Sequence, residues 1–282
     1  MSSWNQAGHG AVITGAASGI GLAAGAALAR RGMNVLLADR DAEALQAARE
    51  RVSAEEGPGR VLTQSCDVSQ PSQIEELAER AFADLGAVHC LMNNAGAGFR
   101  VGRSWENLDE CRETLEINLW GIVLGCHAFV PKMLASGEPG VVINTGSKQG
   151  ITKPPGNYAY NLSKAGVLAY TEGLAHDLSQ EEDSRVSAHL FVPGFTYTGM
   201  ISRFVPEKPP AAWTPEQTVD YLFGRLEEGD FYVLCPDNEV TRDVDAKRIQ
   251  WNADDLIQNR PALSRWHRDW KDAFERFQGG DD

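Results

Sequence analysis

At 282 residues, with 43% hydrophobic and 23% charged side chains, the chain has room for one large α/β domain or two small ones. A formal net charge of −13 repels a phosphate backbone and argues against a nucleic-acid partner. No apolar run reaches the roughly 18 residues of a spanning helix, and the opening MSSWNQAGHG lacks the basic and apolar regions of a signal peptide, so no membrane partner is expected.

Strand-like and helix-like patterns then alternate along the chain. AVITG (11–15) is an apolar run that ends on glycine, and IGLAAGAALARRG (20–32) closes on Arg-Arg-Gly as a helix does. NVLLAD (34–39) reads as a buried strand, and 41–57 as a helix with charges on its outer face. A strand over 60–68, a helix with Ser/Pro start signals over 69–86, and a strand running into a turn over 89–96 follow. The pattern next predicts a long helix over 108–135, a strand over 140–146, a helix over 158–178 and a strand over 185–194. A helix with proline in its first turn (214–229) and a last strand (230–235) complete the alternation.

The strands are near-continuous apolar runs, as in a parallel sheet covered on both faces. The expected fold is therefore α/β: a doubly wound parallel sheet of about seven strands with helices on both faces. Residues 1–236 read as one domain. Residues 237–282 read as a helical C-terminal extension packed on it, anchored by Trp251, Trp266 and Trp270, with a frayed GGDD end. Five scattered cysteines form no CxxC pair and read as buried thiols of a reducing, cytoplasmic compartment. The six histidines show no ligand spacing, so no metal is expected.

Two local patterns carry chemistry. The first is TGAASGIG (14–21), where Gly15, Gly19 and Gly21 lie between a strand and a helix. Glycines there let a pyrophosphate approach the backbone, and the helix start offers free N–H groups. Asp39 ends the next strand, 18 residues past Gly21; a carboxylate there accepts ribose hydroxyls and repels a 2′-phosphate. Arg40 follows and offers the opposite preference, and a plain helix cap is the bland role for Asp39. NAD is favoured, with NADP the alternative. The second pattern is GNYAYNLSKAG (156–166), in which Tyr160 and Lys164 are four apart and share a helix face. A free phenol has a pKa of about 10, and a nearby cation lowers it toward the range of a useful base.

TGAASGIG (14–21), CDV (66–68), NNAG (93–96), INLWG with Asn118, NTGSKQG with Ser147, YNLSK (160–164) and PGFTYT (193–198) occur in one order. Together they resemble the classical short-chain dehydrogenase/reductase family over roughly residues 10–200. The resemblance implies a Rossmann-type fold, a nicotinamide cofactor, and hydride transfer to or from a secondary alcohol or ketone. It implies Tyr160 as general acid/base, Lys164 as the cation beside it, Ser147 as hydrogen-bond partner of the substrate oxygen (Thr145 is its rival), and Asn118 as anchor of a water leading from the lysine to solvent. For the cofactor it implies Gly15, Ser18, Gly19, Ile20 and Gly21 at the phosphates. Asp39 and Arg40 are then at the adenosine ribose, Asp67 and Val68 at the adenine, and Asn94, Ala95 and Gly96 in the ribose turn. Pro193, Gly194 and Thr196 fall beside the nicotinamide amide, and Thr198 reaches the pyrophosphate. Tyr160 and Lys164 also face the cofactor. A homodimer or homotetramer is expected, with helices 108–135 and 158–178 at the interface.

Residues 97–103, 148–157 and 195–213 are the expected walls of a substrate pocket. Phe99, Phe195, Tyr197, Met200, Phe204 and Trp213 line it, favouring a bulky or aromatic substrate; Arg100, Arg103 and Lys153 leave room for a carboxylate. Lys148 either faces solvent or greets an anionic substrate. The 195–213 loop is long enough to be a lid. Two other readings stand beside the oxidoreductase. One is a non-catalytic dinucleotide-binding regulator, which has no need of all four of Tyr160, Lys164, Ser147 and Asn118. The other is a sugar-nucleotide epimerase, for which too few residues follow the sheet.

Overall fold

In a computed structural model the described residues are 4–55, 57, 59–99, 101–202 and 205–279. Seven parallel strands form one sheet in the order β3-β2-β1-β4-β5-β6-β7: β1 Gly10–Thr14, β2 Asn34–Asp39, β3 Val61–Ser65, β4 Cys90–Asn93, β5 Gly140–Thr145, β6 Val186–Val192 and β7 Tyr232–Leu234. The chain leaves β1 in one direction toward β3 and returns to pair β4 on its other side, through Ala11↔Cys90, Val12↔Leu91 and Ile13↔Met92. A crevice opens at such a reversal, at the carboxyl ends of the strands.

The period-two side-chain alternation divides the interior in two. Ala11, Ile13, Met92 and Ile143 face a core built with α1 (Gly19–Arg30), α2 (Ala42–Ser53) and α9 (Pro215–Glu227). Val12, Leu91 and Val142 face the other core, with α3 (Pro71–Leu85), α5 (Gly121–Ser136) and α7 (Tyr158–Gln180). Both neighbours of a strand residue are therefore apolar, which is why the strands read as unbroken hydrophobic runs. All five cysteines are buried and unpaired.

Three departures from the sequence expectation matter for the site. The helix expected over 108–135 is α4 (Leu108–Leu115), a π turn (Glu116–Trp120) and α5. By length and composition Leu108–Ser136 passes the test for a membrane span, with mean hydropathy 1.3; half of that window is buried, with Ile122, Cys126 and Phe129 in the second core. A short helix, α6 (Lys148–Thr152), and a single turn, α8 (Gly199–Ser202), occupy stretches expected to be loop. The C-terminal helices α10 (Arg242–Ile257) and α11 (Lys271–Gly279) enclose Trp251, which is buried against Trp270, Phe274 and Phe277 and donates from its indole nitrogen to Ser264 Oγ at 2.7 Å. Trp266 is 38% exposed, so Trp251 rather than Trp266 is the anchor. Residues 280–282 of the GGDD end lie outside the described residues.

Candidate active site

TGAASGIG, CDV, NNAG, NTGSKQG and PGFTYT all follow carboxyl ends of strands at the same edge of the sheet, because parallel strands all end there, while Asn118 and YNLSK lie on helices. At the end of β1 the chain turns at Gly15, with φ +66°, a conformation that disfavours a side chain. A Cβ on Gly15 would lie 2.7 Å from Ala95 Cα, and one on Gly21 would lie 2.3 Å from Gly15 O. Gly19 has φ +56° and faces Thr198, whose side chain a Cβ would meet at 3.3 Å. Ser18 precedes α1 in extended conformation and makes no side-chain cap, so the first N–H groups of α1 keep their donors for a ligand. Ile20 packs on the first core. The Thr14 hydroxyl accepts from Asn94 N (3.0 Å) and Ala95 N (3.1 Å), while Asn94 Nδ2 donates to Thr14 O (3.1 Å) and Gly15 O (3.3 Å). These bonds lock the β1 turn to the β4 turn across the crevice.

Asp39 lies at the end of β2 beside that turn. Its Oδ2 accepts from Ala17 N at 3.1 Å and its Oδ1 from Asp41 N at 3.1 Å, so the carboxylate supports both the glycine turn and the start of α2. Arg40 is exposed. Asp67 Oδ1 accepts from Ser69 N (3.0 Å) and Oγ (2.8 Å), and Val68 is buried against Gly121, where a Cβ would come within 2.8 Å of its Cγ2. Gly194 follows Pro193 after β6; a Cβ there would collide with Pro236 O at 2.3 Å. Thr196 is buried, and its hydroxyl is engaged by Thr218 Oγ1 (2.9 Å) and Gly194 O (3.2 Å). Its side chain therefore supports the loop, leaving its backbone as what it offers to a ligand.

The second constellation converges on α7. Ser147 caps α6, its Oγ accepting from Gln149 N at 3.2 Å, and it lies close enough to the Tyr160 phenol to pull that phenol's pKa down. Asn157 caps α7 by accepting from Tyr160 N at 3.2 Å and donates to Phe99 O at 3.0 Å, fixing where Tyr160 starts. Lys164 is buried and its Nζ donates to Thr145 O at 2.8 Å, 5.8 Å from the Tyr160 ring centre. Asn118, in the π turn, is fully buried: Oδ1 accepts from Ala97 N (2.8 Å), and Nδ2 donates to Ala97 O (2.9 Å) and Ser163 Oγ (3.3 Å). Ser163 in turn donates to Tyr160 O at 2.8 Å. Gly96 sits between Asn118 and Lys164, at 3.3 Å and 4.0 Å from a Cβ position.

Electrostatics differ from the simple cation–phenol picture. Burial raises the Tyr160 pKa, and the Ser147 side chain opposes it. Burial lowers Lys164 to about 8. The ammonium lies 5.8 Å from the ring centre, and desolvation is the larger of the influences on the phenol.

The substrate-side residues sort differently from expectation. Tyr158 donates to Glu106 O at 3.1 Å and borders an open cleft of about 390 Å3 with Gly102, Arg103, Ser104, Trp105 and Gly156. Trp213 packs on the first core and edge-on to Tyr221, and donates to Asn238 Oδ1 at 2.9 Å, so it anchors the loop. A bridge between Thr196 and Trp213 pins the base of the 195–213 loop. Lys148 neither faces solvent freely nor points to a substrate: it pairs with Asp245 at 2.7 Å. Arg100, Phe204 and the side chain of Met200 lie outside the described residues. Sequence reasoning missed Thr14, Asn157 and Gly150 as positioning residues. Asn157 immediately before a helical run was the one with a readable signal.

A strand-reversal crevice with a glycine-lined, uncapped helix start lies beside half-buried Tyr160 and Ser147 and buried Lys164 and Asn118, the arrangement of an α/β protein of the dinucleotide-binding class. The sequence profile of the family described as "short chain dehydrogenase" matches residues 9–209. The chain is 38% identical over 261 residues to a 1-deoxy-11-beta-hydroxypentalenate dehydrogenase of Streptomyces exfoliatus, covering 91% of this chain and 93% of the relative. A short chain dehydrogenase/reductase from Burkholderia phymatum, solved with NAD, superposes with TM-score 0.81 at 29% identity, over 91% of this chain and 97% of the other. A metagenomic short-chain oxidoreductase solved with NADP gives TM-score 0.68 at 28% identity, over 82% and 98%. The chain belongs to the short-chain dehydrogenase/reductase family of oxidoreductases.

Proposed function

We propose that the protein is an NAD-dependent dehydrogenase or ketone reductase acting on a bulky secondary alcohol or its ketone, working as residues 1–236 with the 237–282 extension. The observation that carries this reading is the buried Lys164 ammonium, held 2.8 Å from Thr145 O and 5.8 Å from the ring centre of Tyr160. The glycine cradle, which side chains would fill, and the uncapped start of α1 suit a pyrophosphate. Asp39 at the ribose position favours NAD over NADP. When bound, the nicotinamide accepts or gives the hydride.

In this reading Tyr160 holds the proton at its phenol oxygen for a ketone and takes it from an alcohol. Ser147 orients the substrate oxygen toward that phenol and donates to charge that develops there. Lys164 supplies the cation that favours the phenolate, and its low pKa of about 8 lets it exchange protons near neutrality. Asn118 keeps the Ala97 backbone and, through Ser163, the Tyr160 carbonyl in register, and anchors the water path to solvent.

The name of the Streptomyces relative denotes an anionic hydroxy acid. Together with Arg103, Trp105 and Tyr158 around the cleft, it supports a bulky hydroxy acid as substrate class. The subunit is a homodimer or homotetramer, supported by Trp120 and Leu162, which remain 49% and 53% exposed on the helices proposed for the interface.

The test is a panel of cyclic secondary alcohols, hydroxy acids and ketones with both cofactors, followed at the nicotinamide absorbance. Turnover is expected, and Tyr160→Phe is expected to lower kcat about 10²–10⁴-fold while nucleotide still binds. Near-normal turnover by Tyr160→Phe refutes the mechanism. Nucleotide binding without turnover of any substrate favours a regulator.

A further inference from the structure

Lys148 opens α6 one residue after Ser147 and is not among the residues lining the Tyr158 cleft. Nζ lies 2.7 Å from Asp245 Oδ2 and 3.8 Å from Asp237 Oδ2; the lysine side chain is 20% exposed and both aspartates are 5% exposed. Asp245 stands in the first turn of α10, in the C-terminal extension, and Asp237 just past β7. Asp237 Oδ2 also accepts from Phe195 N at 3.2 Å, and its Oδ1 accepts from Glu239 N and Val240 N. On its far side Asp245 faces Arg265, whose pKa burial and Arg248 lower to about 10 against the pull of Asp245. The charges thus run from the extension, through α10, to the start of α6, and on to the segment after β6.

Two contacts make the start of α6 sensitive. Ser147 is its cap, so the serine hydroxyl moves with it. Gly150 rests on the backbone of Lys164, where a Cβ would come within 2.4 Å of the Lys164 carbonyl carbon. A shift of α6 therefore displaces Ser147 and presses on α7 at Lys164. Surface ion pairs hold geometry weakly, but a pair this dry resists separation, because either partner alone would be left as an uncompensated buried charge.

We propose that Lys148, Asp245 and Asp237 form a clamp that positions Ser147 and the Phe195 segment from the C-terminal extension, so that residues 237–282 complete the active site. The proposal rests on the role given to Ser147 above. Lys148 and the two aspartates are positioning residues; none of them touches the reacting atoms.

The test compares the full-length parent with Lys148→Met, Asp245→Leu, the double variant and Lys148→Arg. The measurements are steady-state kinetics, nucleotide affinity by fluorescence, and amide exchange. Each single charge deletion is expected to lower kcat about tenfold or more with nucleotide Kd changed less than about twofold. Exchange of the 148–152 amides is expected to accelerate while that of 14–21 does not. The double variant should lose about as much kcat as the worse single variant, since one unit has been broken twice, and Lys148→Arg should recover most of the loss. A lowered Tm or faster exchange with unchanged kcat overturns the proposal, as do losses that multiply in the double variant. Should the single variants fail to fold, the double variant, which removes the Lys148–Asp245 pair together and leaves Asp237 held by its backbone N–H donors, decides: normal kcat overturns the clamp. If the parent turns over nothing, the functional reading fails on its own. Amide exchange then decides whether the extension holds α6, and unchanged exchange at 148–152 overturns it.

Discussion

Tyr160 and Lys164 were legible in the sequence as a pair four residues apart; the balance of forces between them was not. Burial raises the phenol and lowers the ammonium, both away from the ionised state, because the cluster lies beneath the loops after β4 and β5. A lysine shifted from its usual 10.5 to about 8 weakens the fold when charged, by about 3 kcal/mol. Between those values the unfolded chain binds more protons than the folded one. The cost is present in full below pH 8 and is relieved as pH rises to 10.5. Thermal melts of parent and Lys164→Met from pH 7 to 10 should therefore show the parent gaining relative to the variant, and a constant difference contradicts the buried charge. At Asp39 the carboxylate serves two backbone N–H groups as well as its proposed ribose role. Asp39→Ala should narrow the NAD/NADP ratio of kcat/KM about tenfold or more, with a small loss of stability. An unchanged ratio removes Asp39 from cofactor selection. Ser163 and Thr14 could not have been found this way. Their importance comes from hydrogen bonds to residues 45 and about 80 positions away, which no local pattern encodes.

Among the elements, the strands were the easiest to read. The central strands β1, β2, β4 and β5 are flanked by apolar cores on both faces, so periodicity and composition agree. The π turn at Glu116–Trp120 was invisible, because an inserted residue leaves the apolar pattern of 108–135 almost intact while it re-aims Asn118. Helix α6 was hidden by its brevity and by the prolines after it, and so was the capping role of Ser147. Its contact with α7 depends on one missing side chain. Gly150→Ala would force a methyl group against the Lys164 carbonyl, costing about 1–3 kcal/mol and shifting Ser147. Melting temperature and kcat should both fall; a variant with parental values for both would show that α6 can slide without consequence.

For the whole molecule, a doubly wound parallel sheet of about seven strands followed from the alternation of patterns and the family resemblance, whereas the seat of the C-terminal extension did not. Its aromatic residues announced docking, but Trp251 closes a cluster within the extension itself, and the tie to the site runs through charged residues. Oligomerisation belongs to this scale too. If α5 and α7 form the interface, Trp120→Glu should shift light-scattering mass toward the monomer with little change in the melting of the subunit. Unchanged mass places the interface elsewhere.

The sheet has a seam. Strands β1–β3 form one panel and β4–β7 another, and within the sheet they meet at three register pairs, extended by the Thr14 and Asn94 bonds at the mouth. A molecule lying across that mouth would bridge both panels like a bolt through two plates. Occupancy of the proposed site would then govern how often the halves breathe apart, which would make the empty form the looser one and tie its lifetime to nucleotide supply.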